Sequence, residues 1–303
     1  MTTPPRASNS EPSQHSGLRG QAISVTVFLA VLAAAALHAG WNAMLKVKLE
    51  PFLAMVLINL AGSLVVIPFV FITGLPNAGA WPWLIASVII HVGYYITLTS
   101  AYDRADMGQV YPIARGSAPL LTAAVGILLL GEPVSVPGAA GIVVLGCGIF
   151  VMSMKSAHDA IHMDRKAPLF ALATAVTICL YTLSDGKGAR ASGDPAAYIV
   201  ALFIFDGLVF TVFALFVRGW SGLRPILGFV GPGLAGGAMS AGAYGIAIWA
   251  MTVAPIPLVA AVRETSVLFA AAIAVVFLKE PLRANRIVAA CLIVAGLVLI
   301  RLQ

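Results

Sequence analysis

The 303 residues are 60% hydrophobic and only 10% charged, with a mean hydropathy of +0.97. A soluble domain averages about 25% charged residues, so this chain cannot wet its whole surface, and lipid must cover much of it. The net charge of +6 does not point to nucleic acid, because most basic residues flank apolar runs, where headgroups and topology explain them.

In chain order, residues 1–21 hold Pro, Ser, Gln and Thr with almost nothing apolar and read as a disordered N-terminal tail. The small residues Ala33 to Ala36 resemble a leader cleavage site, but the apolar run continues past them, so no cleavage is expected. At the roughly 20-residue length a bilayer requires, spans fall near 22–45, 52–74, 82–103, 107–130, 134–154, 168–186, 196–217, 227–251, 255–278 and 282–301. Breakers separate them: Pro51, the stretch Pro76 to Trp81, Asp103 to Asp106, Glu132-Pro133 and Glu280-Pro281. The runs are continuous and longer than the alternating strands of about ten residues in a membrane barrel, so helices are predicted. The stretch 155–167, with His158, Asp159, His162 and Asp164, reads as a polar linker rather than a metal site. Cys147, Cys179 and Cys291 lie in apolar runs without metal-ligand spacing and read as small core filler.

A shift of 148 residues lays the fourth and fifth spans on the ninth and tenth. Arg115 falls on Arg263, Ser117 on Thr265, Glu132 on Glu280, Pro133 on Pro281 and Gly148 on Gly296. Each repeat holds five spans, and an odd number inverts the second copy. The expected fold is therefore an all-α integral membrane protein of ten transmembrane helices, arranged as two inverted-topology five-helix repeats around a central cavity. The first repeat covers 22–154 and the second 168–303, joined by the linker 155–167.

The stretch His38-Ala39-Gly40-Trp41-Asn42, the run Tyr111-Pro112-Ile113-Ala114-Arg115-Gly116-Ser117 and the run Arg263-Glu264-Thr265-Ser266, with the Gly-Glu and Lys-Glu turns, resemble the drug/metabolite transporter superfamily, EamA type. The resemblance spans roughly 22–301. It implies a central cavity that rocks between two openings, transport of metabolites such as amino acids, no ATPase and a cytoplasmic-membrane location. It names no substrate.

An ionisable group in the hydrocarbon region is a functional candidate by default. His38, His91, Arg115, Asp206, Arg263 and Glu264 stand well inside spans. Arg115 and Arg263 are placed to clamp an anionic group in bidentate fashion. The competing reading makes them braces neutralised within the protein. Neighbours at i,i+1 on a helix do not face each other, so Glu264 is expected to be a poor partner for Arg263 itself but able to reach a charge on another helix. His91, Tyr94, Tyr95, Thr99 and Tyr102 share one face of the third span, and His38, Trp41 and Asn42 one face of the first. Thr174, Thr177, Tyr181 and Ser184 mark the sixth span, Ser240 and Tyr244 the eighth. The expected solute contacts are Arg115, Arg263, Trp41, Asn42, Tyr94, Tyr95, Tyr111, Tyr181 and Tyr244. Asp206 leads the coupling acids, with His91, His38 and Glu264 as rivals. The expected cavity is lined by the first, third, fourth, sixth, eighth and ninth spans. Tyr198 reads as an interface anchor, Glu132 and Glu280 as turn residues. Gly233, Gly237, Ala241 and Gly245 form a small-residue seam.

No Walker-type loop or Gly-x-Ser-x-Gly occurs, so neither an ATP-driven pump nor a serine hydrolase is expected. The rivals to a carrier are a channel or lipid scramblase and, further off, an intramembrane enzyme. No metal or organic cofactor is implied. The partners are a small-molecule substrate and membrane lipid, without nucleic acid, and the bilayer-facing surface leaves room for a homodimer. Five basic residues lie on the side of the termini and eleven on the other. The positive-inside rule then puts both termini outside, whereas the resemblance implies both inside, so export and import stay open.

Overall fold

The computed structural model describes residues 23–45, 49–105, 107–158, 164–276, 279 and 284–303. The tail 1–21 therefore lies outside the described residues, as do Glu280 and Pro281. The described chain is helical throughout, with no strand. In order come α1 (Val25–Leu45), α2 (Pro51–Val66), α3 (Val70–Thr73), α4 (Trp81–Tyr102), α5 (Met107–Leu128), α6 (Val136–His158), α7 (Ala167–Ala191), α8 (Pro195–Leu223), α9 (Val230–Val253), α10 (Ile256–Arg263), α11 (Ser266–Val276) and α12 (Ala284–Arg301).

Local chemistry sets most boundaries. Proline occupies the first turn of α2, α4, α7, α8 and α10, where its missing N–H costs nothing. Asp194 caps α8 by accepting the Ala196 N–H at 2.9 Å. Gly219, at φ 65°, breaks the end of α8 in a conformation that other residues resist. Arg218 just before it pairs at 2.6 Å with Glu50 at the start of α2, and each charge suits its helix end. A short 3₁₀ turn through Pro68 joins α2 and α3 into one rod, Pro51–Thr73.

By length and hydropathy, seven stretches of the described residues can cross a bilayer, and one of them, Pro195–Val253, holds both α8 and α9. Side chains such as Phe71, 88% exposed, and Phe216, 87% exposed, fit a lipid environment and not water. Cys179 is buried, but Cys147 and Cys291 are exposed, so core filler describes only the first. The linker is shorter than the sequence suggests: 155–158 continue α6 and α7 begins at Ala167, while 159–163 lie outside the described residues.

The packing has an internal symmetry. α4 lies on α7 and α1 on α9, α5 on α7 and α1 on α10 and α11, α2 on α8, and α6 on α12. Exchanging α1 with α7, α2 with α8, α4 with α9, α5 with α10–α11 and α6 with α12 returns the same pairs. A Cβ on Gly141 would meet the Gly296 carbonyl at 2.7 Å, and one on Gly148 the Ala289 carbonyl at 3.0 Å. Advancing along α6 therefore means retreating along α12, so these equivalent helices run antiparallel. The same holds for α2 and α8, where Glu50 meets Arg218 and Ser63 bonds the Phe203 carbonyl at 2.5 Å. The glycine seam of α9 serves close packing: a Cβ on Gly233 would strike Leu57 at 2.5 Å, and one on Gly237 the backbone of Gly62 at 2.6 Å.

Candidate solute-binding site

The predicted ninth span is not one helix. Ala254 is extended ahead of Pro255, α10 runs only to Arg263, and a tight turn at Glu264 and Thr265 precedes α11. Thr265 Oγ1 donates to the Val262 carbonyl at 2.7 Å, and the Leu268 N–H closes an i→i+3 bond on the Thr265 carbonyl at 2.8 Å. Hydroxyl competition for backbone acceptors explains the break. Mid-helix 3₁₀ turns often mark functional positions. Arg263, Glu264, Thr265 and Ser266 are all buried.

Glu264 stands at this break and makes its closer contact with another helix. At the end of α10 it keeps helical backbone angles (φ −67°, ψ −10°), and its Oε1 lies 3.6 Å from an Arg263 terminal nitrogen, within ion-pair range but beyond a hydrogen bond. Its Oε2 lies 2.9 Å from Arg115 Nε on α5. One glutamate thus stands between the two arginines that the repeat makes equivalent. Arg115 also reaches His38 Nε2 at 3.4 Å. A guanidinium has no acceptor, so that ring nitrogen faces it with its lone pair. The Arg263 guanidinium sits 5.2 Å from the centre of the Tyr244 ring.

These groups border a cavity whose empty space, about 870 Å³, includes open solvent at its mouth. His38, Trp41, His91, Tyr94, Tyr95, Arg115, Tyr181, Asp206, Tyr244 and Arg263 all line it. Tyr181 stacks on His91 at 4.2 Å between ring centres, and Tyr94 meets Tyr181 edge-on at 5.7 Å. The Trp41 indole N–H and Arg263 Nε are buried donors without a hydrogen-bond partner. A second hollow, lined by Glu50, Thr99, Tyr102, Asp103 and Arg218 among others, shares Tyr95 with the first, which makes that ring part of the wall between them.

Some expected residues fall elsewhere. Asn42 is exposed, donates to the His38 carbonyl at 2.8 Å and is absent from the cavity wall, because α1 turns it off that face. The Tyr111 side chain lies outside the described residues. Thr174 and Thr177 spend their hydroxyls on their own helix. The wall also includes α2, through Met55, Ile58 and Asn59, and α8, through Leu202, Phe203 and Asp206, neither of which the stripe pattern assigned.

Three functional-looking groups escaped the sequence reading. Asp185, fully buried, accepts the Tyr198 hydroxyl at 2.9 Å and the Tyr244 hydroxyl at a short contact. Tyr198 is therefore buried rather than an interface anchor. Asn59 accepts the Tyr95 hydroxyl at 2.8 Å. Glu132 is no turn residue: it is buried and takes Arg190 at 2.5 and 3.2 Å and the Ile256 N–H at 3.0 Å. Arg190 further donates to the Met251 and Ala254 carbonyls at 2.8 and 3.0 Å. The ends of α5, α7 and α9 and the start of α10 are tied together there. The run from Ser184 to Arg190 looks like a polar helix end, but it holds no proline. Pro195 is the first breaker, and that absence was the available signal for Asp185.

A bundle of apolar helices with a buried, charged cavity defines a multi-pass membrane protein of the small-molecule transporter class. The EamA-like transporter family matches residues 24–154 and again 165–302, and the chain belongs to that family. Multidrug resistance protein EbrB of Bacillus subtilis (strain 168) is 34% identical over 80 residues, covering 26% of this chain and 67% of that protein. A solved structure titled only as a crystal structure of protein superposes with a TM-score of 0.73 at 20% identity, covering 91% of this chain and 98% of the other. At that identity the likeness concerns the fold.

Proposed function

We propose that the protein is a secondary carrier that moves a small anionic or zwitterionic metabolite, such as an amino acid or similar organic acid, across the cytoplasmic membrane by alternating access. The observation that carries this reading is the pair of buried arginines on the cavity wall at the α5–α10 junction. Arg115 and Arg263 both line the cavity and both approach the carboxylate of Glu264. A guanidinium that faces a cavity grips a carboxylate or similar anion in bidentate form. Buried donors at Trp41 and Arg263 supply further hydrogen bonds, and the Tyr94–Tyr181–Tyr244 wall supplies apolar area.

Ten spans in two inverted five-helix repeats fit the packing. The chain order, the exchange symmetry of the contacts and the antiparallel run of α6 against α12 all support it. The repeats would cover 22–154 and 168–303. In inverted repeats the site lies where the halves meet, often at an interrupted helix, and the Arg263–Thr265 break stands at that place. Tight closure by Arg190 and Glu132 at one end, against an approach past Tyr95 at the other, fits one limb of a rocking cycle.

The test is uptake into liposomes reconstituted with the purified full chain, using radiolabelled amino acids and organic acids. A carrier gives saturable uptake and counterflow of unlabelled solute. Flux that rises linearly with concentration and lacks counterflow favours the channel or scramblase alternative and refutes this reading.

A further inference from the structure

Three oxygen atoms stand in a row where α2, α4 and α8 meet. The Tyr95 hydroxyl oxygen lies 2.8 Å from Asn59 Oδ1 and 2.9 Å from Asp206 Oδ2. Each contact is short enough to require a hydrogen between the oxygens. Tyr95 brings one hydrogen, and a phenolic O–H aims along one direction, so it fills one contact only. Asn59 cannot fill the other. Its amide nitrogen donates to the Met55 carbonyl at 2.8 Å, and flipping the amide would set two acceptors face to face there. The second hydrogen has to come from Asp206.

We propose that Asp206 is the proton-binding group of this protein, that it holds its proton in the present conformation, and that Tyr95 and Asn59 are the pair that senses it. Asp206 Oδ2–H donates to Tyr95, and Tyr95 donates to Asn59. The other oxygen, Oδ1, makes no hydrogen bond and lies 4.0 Å from His91 Nδ1, which a neutral carbonyl oxygen tolerates better than a buried anion does.

The surrounding ionisable groups are already committed. On α4, His91 Nδ1 faces the Ser87 carbonyl at 3.0 Å and so carries its hydrogen there. On α7, Asp185 is met by two phenols, Tyr198 on α8 and Tyr244 on α9, each bringing its own hydrogen, so it needs none. Across the cavity Glu264 is held by Arg115 and Arg263, and His38 presents its lone pair to Arg115. Of the four coupling candidates, only Asp206 stands where the geometry demands a proton.

The arrangement also specifies what release of that proton does. When Asp206 gives it up to water in the cavity, the carboxylate becomes the stronger acceptor, and the Tyr95 hydroxyl turns to it from Asn59. Asn59 Oδ1 then has no donor, and the tie between α2 and α4 opens while the tie between α4 and α8 holds. Because Tyr95 stands in the wall between the cavity and the outer hollow, the proton on Asp206 governs a partition on the approach to the site. That this governs transport rests on the carrier reading above. The proton itself is measurable without any solute.

The experiment is infrared spectroscopy of the full-length protein in lipid at neutral pH, comparing wild type with Asp206→Asn, Asn59→Leu, Tyr95→Phe and Glu264→Gln. Wild type is expected to show a carboxylic-acid C=O band that disappears in Asp206→Asn, shifts in Tyr95→Phe and is unchanged in Glu264→Gln. In Asn59→Leu the Tyr95 hydroxyl is free to face the carboxylate, and the band should appear only at lower pH. Asp206→Asn should fold with wild-type thermal stability, because its amide N–H donates to Tyr95 as the acid does. Loss of folding in that variant, no acid band in wild type, or a band that survives in Asp206→Asn overturns the proposal. Those results leave the arginine-anchored carrier untouched, since uptake and counterflow test that separately.

Discussion

Replacing Arg190 by Gln should destabilise the protein more than its position near a helix end suggests. Arg190 reaches both oxygens of Glu132 and the Met251 and Ala254 carbonyls, with side chains 24% and 3% exposed for the arginine and the glutamate. Removing the arginine strands a buried carboxylate whose remaining described partner is the Ile256 N–H. Breaking a buried pair from one side costs about 3–5 kcal/mol. Glu132→Gln leaves a neutral amide that still accepts from Arg190 and should cost less, about 1–3 kcal/mol. The double variant removes the stranded charge, so its loss should fall short of the sum of the singles by about 1–3 kcal/mol. Unfolding of the four proteins in mixed micelles, followed by circular dichroism, measures that coupling. Additive losses within about 0.5 kcal/mol would show that the contact does not tie the two residues energetically.

Further outcomes follow from single contacts. Gly296→Ala puts a Cβ 2.7 Å from the Gly141 carbonyl and should lower the melting temperature through about 1–3 kcal/mol of overpacking. Gly231→Ala, with nothing within 4 Å, should leave it unchanged or raise it. Asp185→Leu removes the acceptor of the buried Tyr198 phenol and the half-buried Tyr244 phenol and should cost about 1–3 kcal/mol for the buried one and less for the other, read as a fall in melting temperature, whereas Asp185→Asn should recover part of it. Glu264→Gln removes the carboxylate that both arginines approach and should strengthen binding of carboxylates in an equilibrium assay while weakening the empty protein's thermal stability.

The helical membrane class, the repeat and the arginine pair were legible because each rests on a signal written along the chain: hydropathy over about 20 residues, a register of 148, and charges inside apolar runs. What was hidden depends on contacts between distant segments. Nothing local marks Glu132 as the acceptor of Arg190, 58 residues away. The helical i,i+1 rule leaves Glu264 a poor partner for Arg263, and its closer contact is with Arg115 on another helix, which spacing along one helix does not reveal. Asn59 had only Ser63 for polar company on α2, too little to form a stripe. Asp185 sat in a run whose glycines and charges imitate a loop, although the helix continues to Ala191.

The central claim is that Arg115 and Arg263 anchor an anionic solute, and a thermal-shift screen of the purified protein against amino acids and organic acids tests it most directly. A solute held at a hundred times its Kd stabilises the folded state by about 2.7 kcal/mol, enough to move the transition visibly. The expected result is a shift of the wild-type protein by carboxylate-bearing solutes that vanishes in both Arg115→Gln and Arg263→Gln. If both variants shift as the wild type does, the arginines are braces and the anion site is not there.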